Sequence, residues 1–235
     1  MILKGKTAIV TGASDGIGKQ ISLRLAIEKV NLVLIGRDRA RLAETEKEVK
    51  ELGAPQVAIY PCDIRQISDL KNTVKKIVSD FKNINILLNV AGIWQKLGTL
   101  EQVDENTIDD VIQTNLTALI QITRLLLPYL KKQDEAAIIN ISSKSGVIAQ
   151  PGQSVYSASK YGVRGFTEAL KADLIESNVR VAGVYQGGTN TKLFAKTGDN
   201  PPVGKFTNPA DLADVVVYML SRPEQIWLHD VRVEY

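Results

Sequence analysis

Short apolar stretches alternate with longer segments of helical periodicity along the whole chain. The first stretch, TAIVT at residues 7–11, precedes a segment at 16–29 in which Ile21 and Leu25 share one helical face. The same pattern predicts further strands at 31–35, 56–60, 85–89, 136–141, 180–185 and about 228–233, and further helices at 38–52, 66–82, 104–132, 155–177 and about 208–221. Strands and helices therefore alternate from one end of the sequence to the other.

The predicted strands are apolar at almost every position, as strands buried on both faces of a parallel sheet are. Strands that alternate with helices form right-handed βαβ units. We therefore expect an α/β fold of the Rossmann type, with a doubly wound, seven-stranded parallel sheet flanked by helices on both faces. No repeat or linker divides the chain, so residues 1–235 are expected to form one domain. The glycine- and proline-rich segment 186–207 is the best candidate for a mobile flap.

Composition excludes several classes of function. The net charge of +3 comes from 29 basic and 26 acidic residues spread along the chain, which gives no basic stripe for nucleic acid. Cys62 is the only cysteine and His229 the only histidine, so neither a disulfide nor a Cys/His metal cluster is expected, and no metal site is predicted. The sequence shows neither a signal peptide nor an apolar run of about 20 residues, which favours a cytoplasmic protein without membrane association.

The first predicted strand runs into the motif TGASDGIG at residues 11–18. In the first βα turn of a doubly wound sheet, glycines such as Gly12, Gly16 and Gly18 permit a tight turn, close approach of a pyrophosphate, and close helix packing. The helix N-terminus beyond them favours an anion. The motif predicts a dinucleotide site, and glycines that serve only a turn are the alternative.

Arg37 follows the second predicted strand, where sites for NAD usually place a carboxylate on the ribose 2′-hydroxyl. A guanidinium matches a 2′-phosphate in charge and in donor geometry, so the sequence favours NADP(H) over NAD(H). A solvated charge at a helix start is the alternative. Asp15 and Asp38 oppose the NADP interpretation, because a carboxylate repels a nearby phosphate.

Tyr156 and Lys160 stand four residues apart in YSASK, which places both side chains on one helix face with only small residues between them. A phenol beside an ammonium is either a surface pair or an acid–base device. A nearby ammonium favours the phenolate and so lowers the pKa of the tyrosine.

With both motifs placed, the sequence resembles the short-chain dehydrogenase/reductase family, including members that act as 3-oxoacyl-acyl-carrier-protein reductases. TGASDGIG, the acid in PCDI, NVAG, QTNL, INISS and YSASK occur in the order and spacing of that family over essentially the whole chain. The resemblance implies a catalytic set of Asn115, Ser143, Tyr156 and Lys160. Ser142 is the alternative serine. Asn115 could instead be a buried amide with satisfied hydrogen bonds, and Ser143 could instead be a turn residue at the end of a strand.

The resemblance also implies the dinucleotide contacts. They are Gly12, Ser14, Asp15, Gly16, Ile17, Gly18, Arg37, Asp63, Ile64, Asn89, Ala91, Gly92, Tyr156, Lys160, Gly187, Thr189 and Thr191. Asp63 would contact the adenine, although it could instead cap a helix, and Trp94 could line the substrate side or simply pack. One departure is Gln186, which replaces the proline that usually precedes Gly187.

These features together predict an NADP(H)-dependent oxidoreductase that transfers a hydride between nicotinamide and a carbonyl or secondary alcohol. Family members act on 3-oxoacyl thioesters, 3-hydroxy acids, sugars and simple ketones, and the sequence does not choose among these small molecules. A catalytically silent dinucleotide-binding regulator is the alternative, and the longer epimerase branch fits less well. The resemblance further implies a homodimer or homotetramer that assembles through the helices at 104–132 and 155–177, and in some members through the last strand.

Overall fold

The computed structural model describes residues 1–223 and 225–234, and its centre is a seven-stranded sheet. The strands are β1 Thr7–Thr11, β2 Asn31–Gly36, β3 Val57–Pro61, β4 Ile86–Asn89, β5 Ala136–Ile141, β6 Val179–Gln186 and β7 Asp230–Val233. They pair in the order β3-β2-β1-β4-β5-β6-β7, and all pairings are parallel. Every residue of β1, β4 and β5 is buried, as the continuous apolar runs require. The predicted doubly wound sheet is confirmed.

Helices cover both faces of this sheet. They are α1 Gly16–Ile27, α2 Arg39–Glu51, α3 Ile67–Asp80, α4 Glu105–Ile112, α5 Ala118–Leu130, α6 Ser154–Asp173 and α7 Pro209–Ser221. One core packs α1, α2 and α7 against the sheet through residues such as Leu25, Leu42 and Val216. The second core packs α3, α5 and α6 against the opposite face. Within the described residues, no helix combines the length and the apolar character needed to cross a membrane.

Polar residues immediately before two of the helices set where those helices begin. Asp38 accepts the Arg41 N–H at 3.1 Å and caps α2, and Asn208 accepts the Ala210 N–H at 2.9 Å and caps α7. Pro209 occupies the first position of α7, where its missing N–H has no helical partner to lose. Because these capping side chains bond the first free N–H groups, α2 and α7 begin close to the predicted positions.

Two predicted helices differ in the structure. The segment predicted as one helix at 104–132 is α4 and α5 joined by a π-helical turn at Gln113–Thr117. Asn115 in that turn is bonded to the backbone of Ile93 in both directions, so a side chain pulls the helix out of its regular repeat. The helix predicted at 155–177 ends at Asp173, after which buried Leu174 opens a turn that leads to β6.

The flap segment 186–207 is structured at its base. It contains two short 3₁₀ helices, Ala195–Thr197 and Val203–Lys205. Thr189 and Thr207 form a parallel bridge, and the Thr207 N–H donates to the Gly188 carbonyl at 2.9 Å. These contacts hold the flap over the carboxyl ends of the strands. Because chain order reverses between β1 and β4, ligands of such sheets bind in the crevice there.

Candidate active site

The glycine loop between β1 and α1 leaves no room for side chains. A Cβ added to Gly12, whose φ is +69°, would lie 2.9 Å from the Ala91 Cα, and one added to Gly18 would lie 2.3 Å from the Gly12 carbonyl oxygen. The Thr11 hydroxyl accepts the N–H groups of Val90 at 3.0 Å and Ala91 at 3.1 Å. The loop is therefore locked against the end of β4 with its backbone facing the crevice.

This crevice, the dinucleotide cleft, gathers most of the residues that the sequence predicts to bind the dinucleotide. Those that line it are Gly12, Ser14, Asp15, Gly16, Ile17, Gly18, Arg37, Asp63, Ile64, Ala91, Gly92, Tyr156, Lys160 and Thr191. Gly187 and Thr189 lie instead along the neighbouring cavity. Asn89 lies beneath the cleft, where its amide donates to Thr123 and Asn140 in a buried network.

Asp15 and Asp38, the two acids that oppose an NADP site, already have partners. Asp15 accepts the Gly16 N–H at 2.7 Å as the cap of α1 and lies 3.4 Å from the Lys196 ammonium. Arg41 lies within 3.6 Å of Asp15 and 3.3 Å of Asp38. Burial alone would raise the pKa of Asp15, but the Gly16 hydrogen bond and the charge of Lys196 outweigh it and lower that pKa. Both carboxylates therefore cap helices and pair with nearby cations, so their negative charge is partly neutralised.

Arg37 is exposed at the edge of the cleft and forms no ion pair within the described part of the chain. Asp63 also lines the cleft, where the Arg65 side chain binds its carboxylate with contacts of 2.7 to 3.1 Å. The Arg65 hydrogen bond lowers the pKa of Asp63 below its ordinary value. The cap of the following helix is Gln66, so Asp63 is not the helix cap that the sequence allowed as an alternative.

Tyr156 and Lys160 lie on the first turns of α6, and both are buried, at 4% and 5% exposure. The Lys160 ammonium lies 5.7 Å from the centre of the Tyr156 ring and donates to the Ile141 carbonyl at 3.2 Å. The Ser143 hydroxyl forms a hydrogen bond with the Tyr156 phenol and accepts the Ser145 N–H at 3.1 Å. Ser142 is directed away, since its hydroxyl donates to the Lys160 carbonyl at 3.0 Å.

Asn115 links this cluster to the end of β4. Its Oδ1 accepts the Ile93 N–H at 2.8 Å, while its Nδ2 donates to the Ile93 carbonyl at 3.0 Å and to the Ser159 hydroxyl at 3.1 Å. The Ser159 hydroxyl in turn donates to the Tyr156 carbonyl at 2.7 Å. Asn115 is thus a fully bonded buried amide that fixes the helix carrying the tyrosine and the lysine.

Burial dominates the electrostatics of this pair. It raises the pKa of Tyr156 to about 12, and the hydrogen bond with Ser143 acts in the opposite direction. It lowers the pKa of Lys160 to about 8. Exclusion of water therefore disfavours the phenolate in the protein itself. That the Lys160 ammonium and the positive charge of an oxidised nicotinamide lower the pKa of Tyr156 stays a prediction.

A cavity of about 420 Å³ lies on the other side of Tyr156, under the flap. Trp94 forms its wall, packing edge-on against Tyr156 at 4.6 Å and against Phe194 at 4.9 Å between ring centres. Phe206 continues the aromatic row at 5.6 Å from Phe194. The Trp94 side chain therefore packs against other rings and also lines this cavity, and its role on the substrate side stays a prediction.

Two residues that the sequence reasoning did not identify hold this arrangement. Asp199 in the flap accepts the Trp94 indole N–H at 2.7 Å and the Leu97 N–H at 3.0 Å. Buried Gln95 accepts the Tyr156 N–H at 2.8 Å, and so caps α6, whose own preceding residue makes no side-chain cap. The contacts of Asp199 and of Gln95 join residues far apart in the chain, so no local sequence motif indicates them.

The model of the short chain dehydrogenase family matches residues 6–202. The chain is 32% identical over 229 residues to the 3-oxoacyl-[acyl-carrier-protein] reductase FabG of Thermotoga maritima, covering 94% of this chain and 92% of that protein. It is 30% identical over 242 residues to the NADP-dependent 3-hydroxy acid dehydrogenase of Schizosaccharomyces pombe, covering 98% and 93%.

Among solved structures, a metagenomic short-chain oxidoreductase in complex with NADP superposes with a TM-score of 0.86 at 27% identity, covering 100% of this chain and 98% of that one. The protein belongs to the short-chain dehydrogenase family and is an oxidoreductase with its fold and cleft.

Proposed function

We propose that the protein is an NADP(H)-dependent oxidoreductase that interconverts a carbonyl and a secondary alcohol, with Tyr156 as the acid–base residue. The observation that carries this proposal is the position of the Tyr156 phenol. It lines both the dinucleotide cleft and the cavity under the flap, and it is bonded to Ser143 with the Lys160 ammonium nearby. A proton donor at this junction can reach a substrate oxygen held beside a bound nicotinamide.

The cleft fits a dinucleotide. At Gly12 and Gly18 a Cβ would collide with backbone, so the loop is shaped for backbone N–H groups to face a pyrophosphate. Arg37 is unpaired in the described structure, whereas Asp15 and Asp38 are neutralised by other groups, which favours a 2′-phosphate at this end. When bound there, the nicotinamide would exchange a hydride with the substrate carbon.

The protein's own residues divide the remaining work. Tyr156 gives a proton to the substrate oxygen during reduction and takes it back during oxidation. The Ser143 hydroxyl donates to the same oxygen as negative charge develops. Because burial raises the pKa of the phenol, the Lys160 ammonium is needed to make the phenolate accessible. Asn115 acts through Ser159 and Ile93 to position that ammonium and phenol.

The cavity favours uncharged carbonyl compounds with an apolar group, such as ketones and 3-oxoacyl esters or thioesters, over free acids. Its apolar side chains include Trp94, Phe194 and Phe206, and Asp199 adds a negative charge. Lys144 is the one cation among its described lining residues, and it lies 3.0 Å from Glu234. A substrate carboxylate would lose its hydration in this cavity without forming an ion pair in return, because the Lys144 ammonium is already paired with Glu234.

The test is oxidation of NADPH with a panel of ketones and 3-oxo esters, after titration of NADPH and NADH by fluorescence. Tyr156→Phe should lower kcat by about 10²- to 10⁴-fold and leave the NADPH affinity within about twofold. Tyr161→Phe, one turn further along α6, is the matched control, because the Tyr161 hydroxyl donates to the Val147 carbonyl. Equal rates for wild type and Tyr156→Phe would remove the phenol from the mechanism, and tighter binding of NADH than of NADPH would overturn the cofactor assignment. Steady turnover by wild type would exclude the catalytically silent alternative.

A further inference from the structure

Five residues line both the dinucleotide cleft and the cavity, and so surround the point where the nicotinamide ring of the proposed cofactor must lie. They are Ile17, Tyr156, Gln186, Thr191 and Leu193. Gln186 supplies the only primary amide of this set. It is the last residue of β6, where its backbone pairs with Val233 of β7, so the strand holds it at the carboxyl edge of the sheet.

The Gln186 side chain is buried but incompletely bonded. The residue is 8% exposed, and its Oε1 atom has no hydrogen-bond partner among the described residues. An unpaired buried acceptor is costly, and the large majority of buried polar atoms in proteins are paired. A side chain that lines a ligand cleft and lacks a protein partner is a candidate to bind the ligand.

The missing partner must be a donor. A substrate carbonyl has no N–H or O–H to offer, and the hydroxyl of the alcohol form, like the carbonyl oxygen, is bound by Tyr156 and Ser143 in the proposed reaction. The nicotinamide carboxamide carries an NH₂ group, which is a donor. The proline implied at this position by the family resemblance has no side-chain acceptor, so the contact would be a property of this chain.

We propose that Gln186 binds the nicotinamide carboxamide, accepting its N–H through Oε1 and fixing the orientation of the ring at the junction beside Tyr156. The inference rests on the proposed function, since it requires a nicotinamide dinucleotide in the cleft. It adds a cofactor-binding residue that no motif of the sequence indicates.

The experiment compares NADP⁺ with its 3-acetylpyridine analogue, in which a methyl group replaces the NH₂, by isothermal titration calorimetry. For wild type we expect tighter binding of NADP⁺. In Gln186→Met, which keeps the size of the side chain and removes the acceptor, the affinity ratio of NADP⁺ to analogue should fall by about 3- to 10-fold, the usual value of one neutral hydrogen bond. Gln150→Met is the matched control, because Gln150 lines the cavity alone, and the ratio should not change.

A second readout separates binding from structure. Because Oε1 has no partner in the described protein, Gln186→Met should not lower the melting temperature, and removal of an unpaired acceptor can raise it. A structural amide would show the opposite, a clear drop. If the methionine variant does not fold, Gln186 has a structural role and the inference is wrong.

The outcomes distinguish this inference from the proposed function. A wild type that binds NADP⁺ and its analogue equally, or a ratio unchanged in Gln186→Met, would overturn the role of Gln186 while leaving the enzyme intact. A wild type that binds neither dinucleotide would overturn both. A reduced ratio with an undiminished melting temperature supports the inference.

Discussion

On one side of Tyr156, the dinucleotide cleft is lined by glycine backbone and by cations such as Arg37 and Lys196. On the other side, the cavity under the flap is lined by aromatic rings and by the carboxylate of Asp199. The first surface suits a ligand that is anionic and of fixed shape, whereas the second suits one that is apolar and variable. The two sides therefore carry different kinds of specificity, the cleft for charge and the cavity for hydrophobic shape.

The difference also lies in how the two sides are held. The phosphate end of the cleft is one continuous segment, the glycine loop, which Thr11 locks against Val90 and Ala91, while the rest of the cleft comes from the ends of other strands and helices. The cavity is built from distant segments, since Asp199 reaches more than a hundred residues along the chain to bond Trp94 and Leu97. Changes on the cleft side should therefore alter stability and cofactor affinity, and changes on the cavity side should alter the choice of substrate.

The largest expected effect comes from filling the glycine loop. The Cβ in Gly18→Ala would lie 2.3 Å from the Gly12 carbonyl oxygen, and because the atoms it meets are backbone atoms of Gly12 and Ala13, no side-chain rotation relieves the clash. We expect a loss of about 3 kcal/mol in the free energy of unfolding, at the upper end of ordinary overpacking, together with weaker NADPH binding. Chemical denaturation measures the first and fluorescence titration the second.

Gly165→Ala is the control for that substitution. Gly165 lies within α6, and an added Cβ there meets no atom within 4 Å. Alanine in a helix is favoured over glycine by about 1 kcal/mol, so this variant should be as stable as wild type or more so. Equal losses in the two variants would show that the loop is not tightly packed.

The charge selectivity of the cleft is tested by Arg37→Gln. Removing a guanidinium that pairs with a 2′-phosphate should weaken NADPH binding by about 30-fold and leave NADH binding unchanged. Arg39→Gln, two residues further along on the exposed start of α2, should leave both affinities unchanged. Parallel losses for NADPH and NADH in Arg37→Gln would argue against a 2′-phosphate contact and reopen the cofactor assignment.

Most of the fold could be predicted because the strands are continuous apolar runs and the helices have marked starts. The prediction was wrong where a side chain overrides the local pattern, as Asn115 does when it bonds the Ile93 backbone and opens a π-helical turn. The periodicity of residues 104–132 is helical throughout, so no local signal reveals that turn. It depends on a contact with the end of β4.

The residues of the candidate site also fall into those that a local motif predicts and those that depend on contacts across the fold. The glycine loop and the tyrosine–lysine pair are motifs in single elements, and the structure brings them together. Gln95 and Asp199 carry no motif, because their roles arise from contacts with Tyr156 and Trp94 across the fold. The burial of Tyr156, which raises the pKa of its phenol, also depends on packing across the fold and could not be predicted from the sequence.

The junction between the two sides is tested by the pH dependence of Lys160→Met. Burial lowers the pKa of Lys160 from 10.5 to about 8, so the buried ammonium costs stability below pH 8, and this cost declines as the folded state loses the proton between those values. That shift corresponds to about 3 kcal/mol, so the variant should be more stable than wild type by about this amount at pH 7, and the difference should disappear above pH 10.5. Thermal denaturation at matched pH values measures it.

Lys71→Met on the exposed face of α3 serves as the control for Lys160→Met, with no pH-dependent difference from wild type expected. A stability gain in Lys160→Met that is the same at pH 7 and at pH 10.5 would mean that packing, not the buried charge, causes it. A loss at pH 7 would mean that the hydrogen bond to the Ile141 carbonyl contributes more than the buried charge costs.

The smallest effect concerns the charge of the cavity and is expected for Asp199→Asn. Asparagine keeps an acceptor oxygen for the Trp94 indole and the Leu97 N–H, so the flap should stay in place while the negative charge is lost. The kcat/KM ratio of a 3-oxo ester to its free acid should fall by about 3-fold, since a half-exposed charge contributes less than 1 kcal/mol. Asp173→Asn, at the exposed end of α6, should leave the ratio unchanged.

Added salt should lower the wild-type ratio toward that of Asp199→Asn, because screening removes the same repulsion. A ratio insensitive both to the substitution and to salt would mean that the aromatic rings alone set the preference, and that charge selection belongs to the cleft side only.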